Sequence, residues 1–314
     1  MYYPYFRGKQ FELLAVRELA PLMAAANFVP IIEPVRESLT GLRRSLDAIK
    51  DKGGRAFVVT NPRHGHFSDD RGTIKSLTDS YQESGSILPG VILHSDLDTD
   101  EAVHLTQNVQ EGGAIIHDGF TDGRAIKDHL AGHRGHLTNI FQDRQVGLLY
   151  RSQFQNMESK LVILQDGFNQ QRNADYPAVE LFSDLHATYQ DRGLSGYGDY
   201  LTVGNQYTEG GGPAYAVAIH LTYIDRAGLN EMQVLHFKSD SNDTPTDPAG
   251  KFAQALTKLA DYVTSQESQV TRTSAVEEFL DLHQRRHFPG LGYVKKLSMK
   301  HHVETLAQFH GSSS

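Results

Sequence analysis

The 314 residues contain no cysteine, so disulfides, thiolate zinc sites and cysteine-held iron–sulfur clusters are excluded. Redox chemistry by the protein itself is not expected, and a reducing compartment suits the chain. Long hydrophobic runs are also missing. The longest apolar stretches, such as 29–32 and 161–164, fall far short of the roughly 20 residues a membrane helix needs. The opening MYYPYFRGK lacks the pattern of a secretory signal. A cytoplasmic location and no membrane partner are therefore expected. Positive charge is in deficit, with 30 Lys and Arg against 38 Asp and Glu and a net charge of −8. That argues against a general nucleic-acid coat protein, although a local basic cleft could survive. No G-x-G-x-x-G follows any apolar run, which removes the usual dinucleotide fingerprint.

What is present is regular alternation. Short β-branched runs at 2–6, 29–33, 56–60, 90–94, 114–117, 137–142, 160–165 and 197–203 read as eight strands. Between them apolar residues recur at three and four, as in Phe11, Leu14, Ala15, Leu19 and Leu22, in Leu39, Leu42, Leu46 and Ile49, and in Phe182, Leu185 and Tyr189. Eight βα units predict an α/β fold, a TIM-type (β/α)8 barrel, with an open doubly wound sheet as the alternative. A β-hairpin insertion after strand 8, within about 205–240, pairs 214–223 with 231–238. Extra C-terminal helices fill about 270–310, which makes 1–310 one barrel domain and 311–314 a tail.

In such a barrel every strand ends on the same rim. AIIHDGF at 114–120 and LVILQDGF at 161–168 end alike, and VILHSD and NIFQD nearly repeat them. The strand ends supply candidate acids and bases in Glu33, His117, Asp118, Asp143 and Asp166. Candidate substrate-binding groups are Arg7, Lys9, Arg36, Asn61, Arg63, His94 and Asp199. Asp at a strand-to-helix junction is equally a standard turn or cap residue. Arg7 and Lys9 flank Gly8 where strand one meets helix one, a natural anion site, with Glu12 as a helix-start carboxylate. Glu33 and Arg36 can instead pair with each other. Glu33, Asp118 and Asp166 would suit a carboxylate-bound Mg²⁺ or Mn²⁺ better than zinc.

Other motifs carry less. His129, His133 and His136 lack the H-E-x-x-H pattern, and Gly132 and Gly135 weaken the helix that would align them. His64 and His66 form an H-x-H pair on a loop, where solvent exposure competes with a ligand role. The triple glycine at 210–212 precedes a strand and reads as a flexible lid or tight turn. His220 and His236 can face each other across the hairpin, most simply as a surface cross-strand pair.

YYPYFRGKQFELLAVREL, VPIIEPV and GYGDYLTVGNQYTEGGGPAYAVAIHLTY resemble the phage and bacterial beta protein family over nearly the whole chain. The resemblance implies a phage- or defence-associated context and assigns no catalytic residue. Two functions follow as expectations. One is a barrel hydrolase acting on a phosphoester, nucleotide or other anionic substrate. The other is a binding or sensing component of a phage–host conflict that recognises a phage product or partner protein. A sugar-processing carboxylate pair is a third option.

Overall fold

The computed structural model describes residues 1–70, 72–107, 109–131, 136–212 and 214–312. Its strands are β1 (Tyr5–Phe6), β2 (Ile31–Ile32), β3 (Ala56–Val59), β4 (Ile87–His94), β5 (Ala114–Asp118), β6 (Thr138–Gln142), β7 (Lys160–Gln165), β8 (Val179–Ser183), β9 (Gly196–Asp199), β10 (Ala218–Ile224) and β11 (Met232–Lys238). The helices are α1 (Gln10–Ala25), α2 (Thr40–Asp51), α3 (Thr73–Asp79), α4 (Thr99–Gln107), α5 (Gly123–Leu130), α6 (Leu148–Ser152), α7 (Leu185–Thr188), α8 (Pro248–Thr264), α9 (Ser274–Arg285) and α10 (Leu291–Ser312). The chain divides into two compact units, Met1–Gln165 with Thr188–Asp199, and Asp166–Ala187 with Tyr200–Ser314. Among the described residues no helix is long and apolar enough to cross a membrane.

The first unit is a parallel barrel. Its eight strands run in the order β1-β2-β3-β4-β5-β6-β7-β9, each parallel to its neighbour. The two ends meet: Tyr3 N–H donates to the Tyr197 carbonyl at 2.8 Å, and Tyr197 N–H donates to that of Met1 at 3.0 Å. Closure removes the open edges of the sheet. It also explains the G-Y-G of β9. A Cβ on Gly198 would stand 2.2 Å from the Tyr3 carbonyl oxygen, so only glycine lets β1 approach this closely. The strands are buried on both faces, as parallel strands sheathed by helices must be. Tyr3 and Phe57 stack inside the unit with centroids 6.2 Å apart.

The second unit is built on an antiparallel sheet in the order β10-β11-β8. Ile219, Leu221, Phe252, Leu259, Val276 and Phe279 join β10, α8 and α9 in one apolar core. Capping sets both helix starts. Asp247 accepts from Gly250 N–H at 2.9 Å ahead of Pro248, and Thr273 accepts from Val276 N–H at 3.2 Å.

Two expectations of local structure need correction. The stretch around Phe182, Leu185 and Tyr189 is not a helix. Val179–Ser183 is a strand on β11, followed by only the short α7. Its alternation of exposed Val179 and Leu181 with inward Glu180 and Phe182 has period two, and ladder pairing outweighs the weak helical spacing. The eighth barrel strand stops at Asp199, because Leu201 adopts a left-handed φ of 53° and opens a tight turn at 201–203. The tail expected at 311–314 begins inside α10, and Ser313 and Ser314 lie outside the described residues.

Candidate functional site

Polar side chains gather at the carboxyl ends of the first five barrel strands. Glu33 follows β2 and is 2% exposed. Its Oε2 accepts from the Tyr5 hydroxyl at 2.9 Å and lies 3.7 Å from Arg7 Nε, while Oε1 accepts from Arg63 N–H at 2.8 Å. Three elements are thereby tied to one carboxylate. A buried ion can be kept only with such partners. Gly65 (φ +77°) brings the loop after β3 against the Val35 backbone, where a Cβ would sit 2.2 Å from the carbonyl oxygen. His66 N–H then bonds that carbonyl at 3.1 Å.

This anchorage aims Arg63 across the rim. Its Nη1 is 3.2 Å from Asp118 Oδ2 and its Nη2 is 3.2 Å from Asp96 Oδ2. Arg63 is 33% exposed, Asp118 26% and Asp96 69%, so the fork is held by one sheltered carboxylate and one that stands in water. Asp96 N–H lies 3.2 Å from His94 Nδ1, and the same ring nitrogen is 3.5 Å from Asp96 Oδ2. His64 is half-buried among these charges. Its pKa is lowered, first by burial, against which Glu33 and Asp118 pull upward while Arg7 and Arg63 add to the lowering. The cluster can neutralise an oxyanion through Arg63 and accept a proton at His64.

Other sequence candidates do different work. Asn61 spans β3 and β4, donating to the Ile92 carbonyl at 2.9 Å and accepting Ile92 N–H at 2.8 Å. Its amide substitutes for a missing ladder bond. Arg36 is exposed, and the ion pair of Glu33 is with Arg7 instead. The anion slot at the start of α1 is occupied from within: buried Glu12 accepts from Arg7 N–H, beside Lys9 at the N-cap. Burial raises the Glu12 pKa, opposed by that hydrogen bond and by Lys9 and Arg7, with Glu33 adding to the rise.

His117 lies between the barrel wall and α6. Strand alternation sends it to the face opposite Asp118. Its Nδ1 is 2.8 Å from the Tyr150 hydroxyl, its Nε2 is 3.0 Å from Asn139 Oδ1, and its ring stacks on Phe141 at 4.7 Å. Burial lowers its pKa to about 4, with the Asn139 bond pulling the other way. Asp199 accepts the Tyr2 hydroxyl at 2.7 Å in the closure seam. Asp143 is half-buried in the turn after β6, its N–H bonded to the Leu164 carbonyl at 2.8 Å.

In the second unit, Asp166 accepts from Phe168 N–H at 3.1 Å and Asn205 N–H at 2.8 Å, the work of a turn-forming carboxylate. His220 and His236 do face each other, Nδ1 to Nδ1 at 2.7 Å, but not on the surface. His236 is buried beneath the Tyr176 ring at 4.4 Å, with Glu180 Oε1 3.2 Å from its Nε2. Both pKa values are lowered, His236 to about 4 by burial and then Lys238, His220 by burial, His236 and Lys295. The Gly210-Gly211-Gly212 stretch is exposed, and Pro213 lies outside the described residues. His129 ends α5, while Gly132, His133 and Gly135 lie outside them. Among the described residues, no three His, Asp or Glu side chains gather as a metal site.

Tyr5 was hidden from sequence reasoning inside an aromatic strand. The available signal was its alternation with Arg7, which puts both on one face beside Glu33.

No family model and no curated protein matches the chain. Among solved structures it is similar to tryptophan synthase from M. tuberculosis, in the open form with BRD0059 bound, at 12% identity, over 63% of this chain and 81% of that one, with a TM-score of 0.38. The aminoacrylate- and BRD0059-bound form of the same protein gives 13%, the same coverage and 0.38.

Proposed function

We propose that the barrel is a hydrolase acting on a phosphoester, nucleotide or other anionic substrate. The observation that carries this is the Arg63 guanidinium, braced on buried Glu33 and spread between Asp96 and Asp118 at the strand ends. An incoming oxyanion takes the Nη2 arm in place of the exposed Asp96, while Asp118 keeps the other arm and holds the guanidinium in place. Arg7 and Glu33 pair with each other and largely cancel, so Arg63 carries the positive charge that faces the substrate. His64, its pKa lowered by burial, is neutral near pH 7 and accepts the proton of a water that attacks the phosphorus, then gives that proton to the ester oxygen as the phosphorus–oxygen bond breaks, while the charges of Glu33 and Asp118 favour the imidazolium formed in between. A Mg²⁺ or Mn²⁺ ion beside Asp118 would add charge to the same substrate. In keeping with the beta protein resemblance, we place the activity in a phage–host conflict.

The test is a panel of phosphomonoesters, phosphodiesters and nucleotides, with and without Mg²⁺ and Mn²⁺. Arg63→Gln should lower kcat/KM at least about tenfold, or 1.4 kcal/mol, with the unfolding midpoint nearly unchanged. A second reading, a non-enzymatic sensor, is favoured by the pairing of Arg63 with two carboxylates in the free protein. Saturable nucleotide binding without turnover, abolished by the same substitution, would select it.

A further inference from the structure

The second unit carries a cavity of about 320 Å³ that the hydrolase reading does not use. This is the lower end of the range for small-molecule sites, about 300–1,000 Å³. Arg226 and Arg272 line it together with Ser268, Thr271 and Thr305 over an Ile224 floor, and no Asp or Glu lines it. Arg272 also lines a neighbouring cavity of about 510 Å³ together with Asp261, Glu277 and Asp281, so it stands between the two.

Arg226 is exposed at the tip of the β10–β11 hairpin, and among the described residues no carboxylate pairs with it. Asp225, next to it, is spent on its own turn, accepting from Ala227 N–H at 3.2 Å and Gly228 N–H at 3.1 Å. Arg272 meets Glu277 through Nε at 2.9 Å. That contact is roughly half in water, so a ligand can compete with it.

The hydroxyls differ in access. Ser268 Oγ is out of reach of water and has no hydrogen-bond partner among the described residues. Thr305 is fixed by a chain of tautomers. His301 Nε2 must donate to the Thr222 carbonyl at 2.7 Å, so the neutral ring accepts the Thr273 hydroxyl at Nδ1, 2.8 Å away. Nε2–H can only donate, so Thr305 Oγ1, 3.4 Å from it, serves there as acceptor at most. The Thr305 hydrogen remains for a ligand.

We propose that this cavity binds a phosphate group, borne by a small molecule or free. Two guanidinium groups, with no carboxylate in the lining, match the charge of a phosphate monoester, and the Thr305 hydrogen can serve one of its oxygens. The site rests on the second unit alone and does not depend on the hydrolase reading.

Inorganic phosphate titrated calorimetrically into the full chain tests it. The Arg226→Gln/Arg272→Gln variant should bind at least about tenfold more weakly, a loss of about 1.4 kcal/mol. Thr305→Val should weaken binding by roughly threefold, and Arg63→Gln should leave this component unchanged. Should the double variant lose helicity by circular dichroism, Arg226→Gln alone decides, since its side chain is exposed, and a loss of roughly threefold is expected. Unaltered phosphate affinity in the decisive variant, or no binding to the wild-type chain at millimolar phosphate, overturns the proposal.

Discussion

The barrel rim and the histidine network of the second unit handle buried polar side chains in opposite ways. At the barrel rim the buried groups are charged: Glu33 holds Arg7, Tyr5 and the Arg63 backbone. In the second unit Lys251, Lys296 and Lys300 are buried as well, with Lys251 Nζ donating to the Ala214 carbonyl and Lys300 Nζ 3.9 Å from Glu278, but its histidine network is uncharged at His301, which sits between the Thr222 carbonyl and the Thr273 hydroxyl. Neutral pairs satisfy each other and end there. A buried charge keeps a field that reaches a ligand, which is why the rim is the better candidate for chemistry. His117 confirms the rule by its position, because behind the barrel wall it too is neutral and fully bonded.

The sharpest way to break this comparison is to remove the rim's buried charge. Glu33→Ala leaves Arg7 buried without its ion-pair partner and strips the Tyr5 hydroxyl and Arg63 N–H of their acceptor. A loss of about 3–5 kcal/mol is expected in urea unfolding. Glu33→Gln keeps the shape and should cost less. A loss below about 1 kcal/mol for the alanine variant would show that Glu33 does not organise the rim.

Acid should strike the neutral network next. Burial lowers the His301 pKa to about 4, with the Thr222 bond raising it and His302 lowering it further. An unfolded imidazole titrates near 6.5, so between those values the unfolded chain binds more protons. The His301 contribution is therefore complete above pH 6.5, falls as the pH drops, and is lost near pH 4. At pH 5 the loss is about 2 kcal/mol. Unfolding free energies at pH 7.5 and 5 should differ by less in His301→Gln than in wild type. An equal difference in both would mean that His301 is not a buried neutral group.

How much of this was legible follows from what each signal depends on. Eight strands in chain order came from β-branched runs, because burial on both faces demands them and neighbouring strands pair in sequence. Rim membership of Glu33, Arg63 and Asp118 came from their place at strand ends. What periodicity cannot carry is direction. His117 and Asp118 are adjacent, yet one faces a helix and the other the rim. Sequence offers Arg36, three residues away, as the alternative partner of Glu33, but the ion pair is with Arg7, because the closed barrel sets β1 beside β2. Strand β8 was missed because its partner β11 lies some 50 residues further on, and a two-residue period over five residues is faint.

The smallest expected effect sharpens the comparison most, since it concerns a charge the fold does not need. Asp96 is 69% exposed and holds one arm of the Arg63 fork at 3.2 Å. Exposed pairs of this kind are worth about 0.2–1 kcal/mol, so Asp96→Asn should alter stability by no more than about 0.5 kcal/mol. The same substitution frees an Arg63 arm that an anion must otherwise win from Asp96. Affinity for a nucleotide should therefore rise, by roughly two- to fivefold, since the competing pair is worth at most about 1 kcal/mol. The titration is best run in the Arg226→Gln/Arg272→Gln background, so that only the rim contributes heat. Asp118→Asn, at the sheltered arm, is expected to misplace the guanidinium and to give no such gain. If Asp96→Asn weakens binding instead, Asp96 belongs to the ligand site itself, and the displacement of one carboxylate by an incoming anion has to be abandoned.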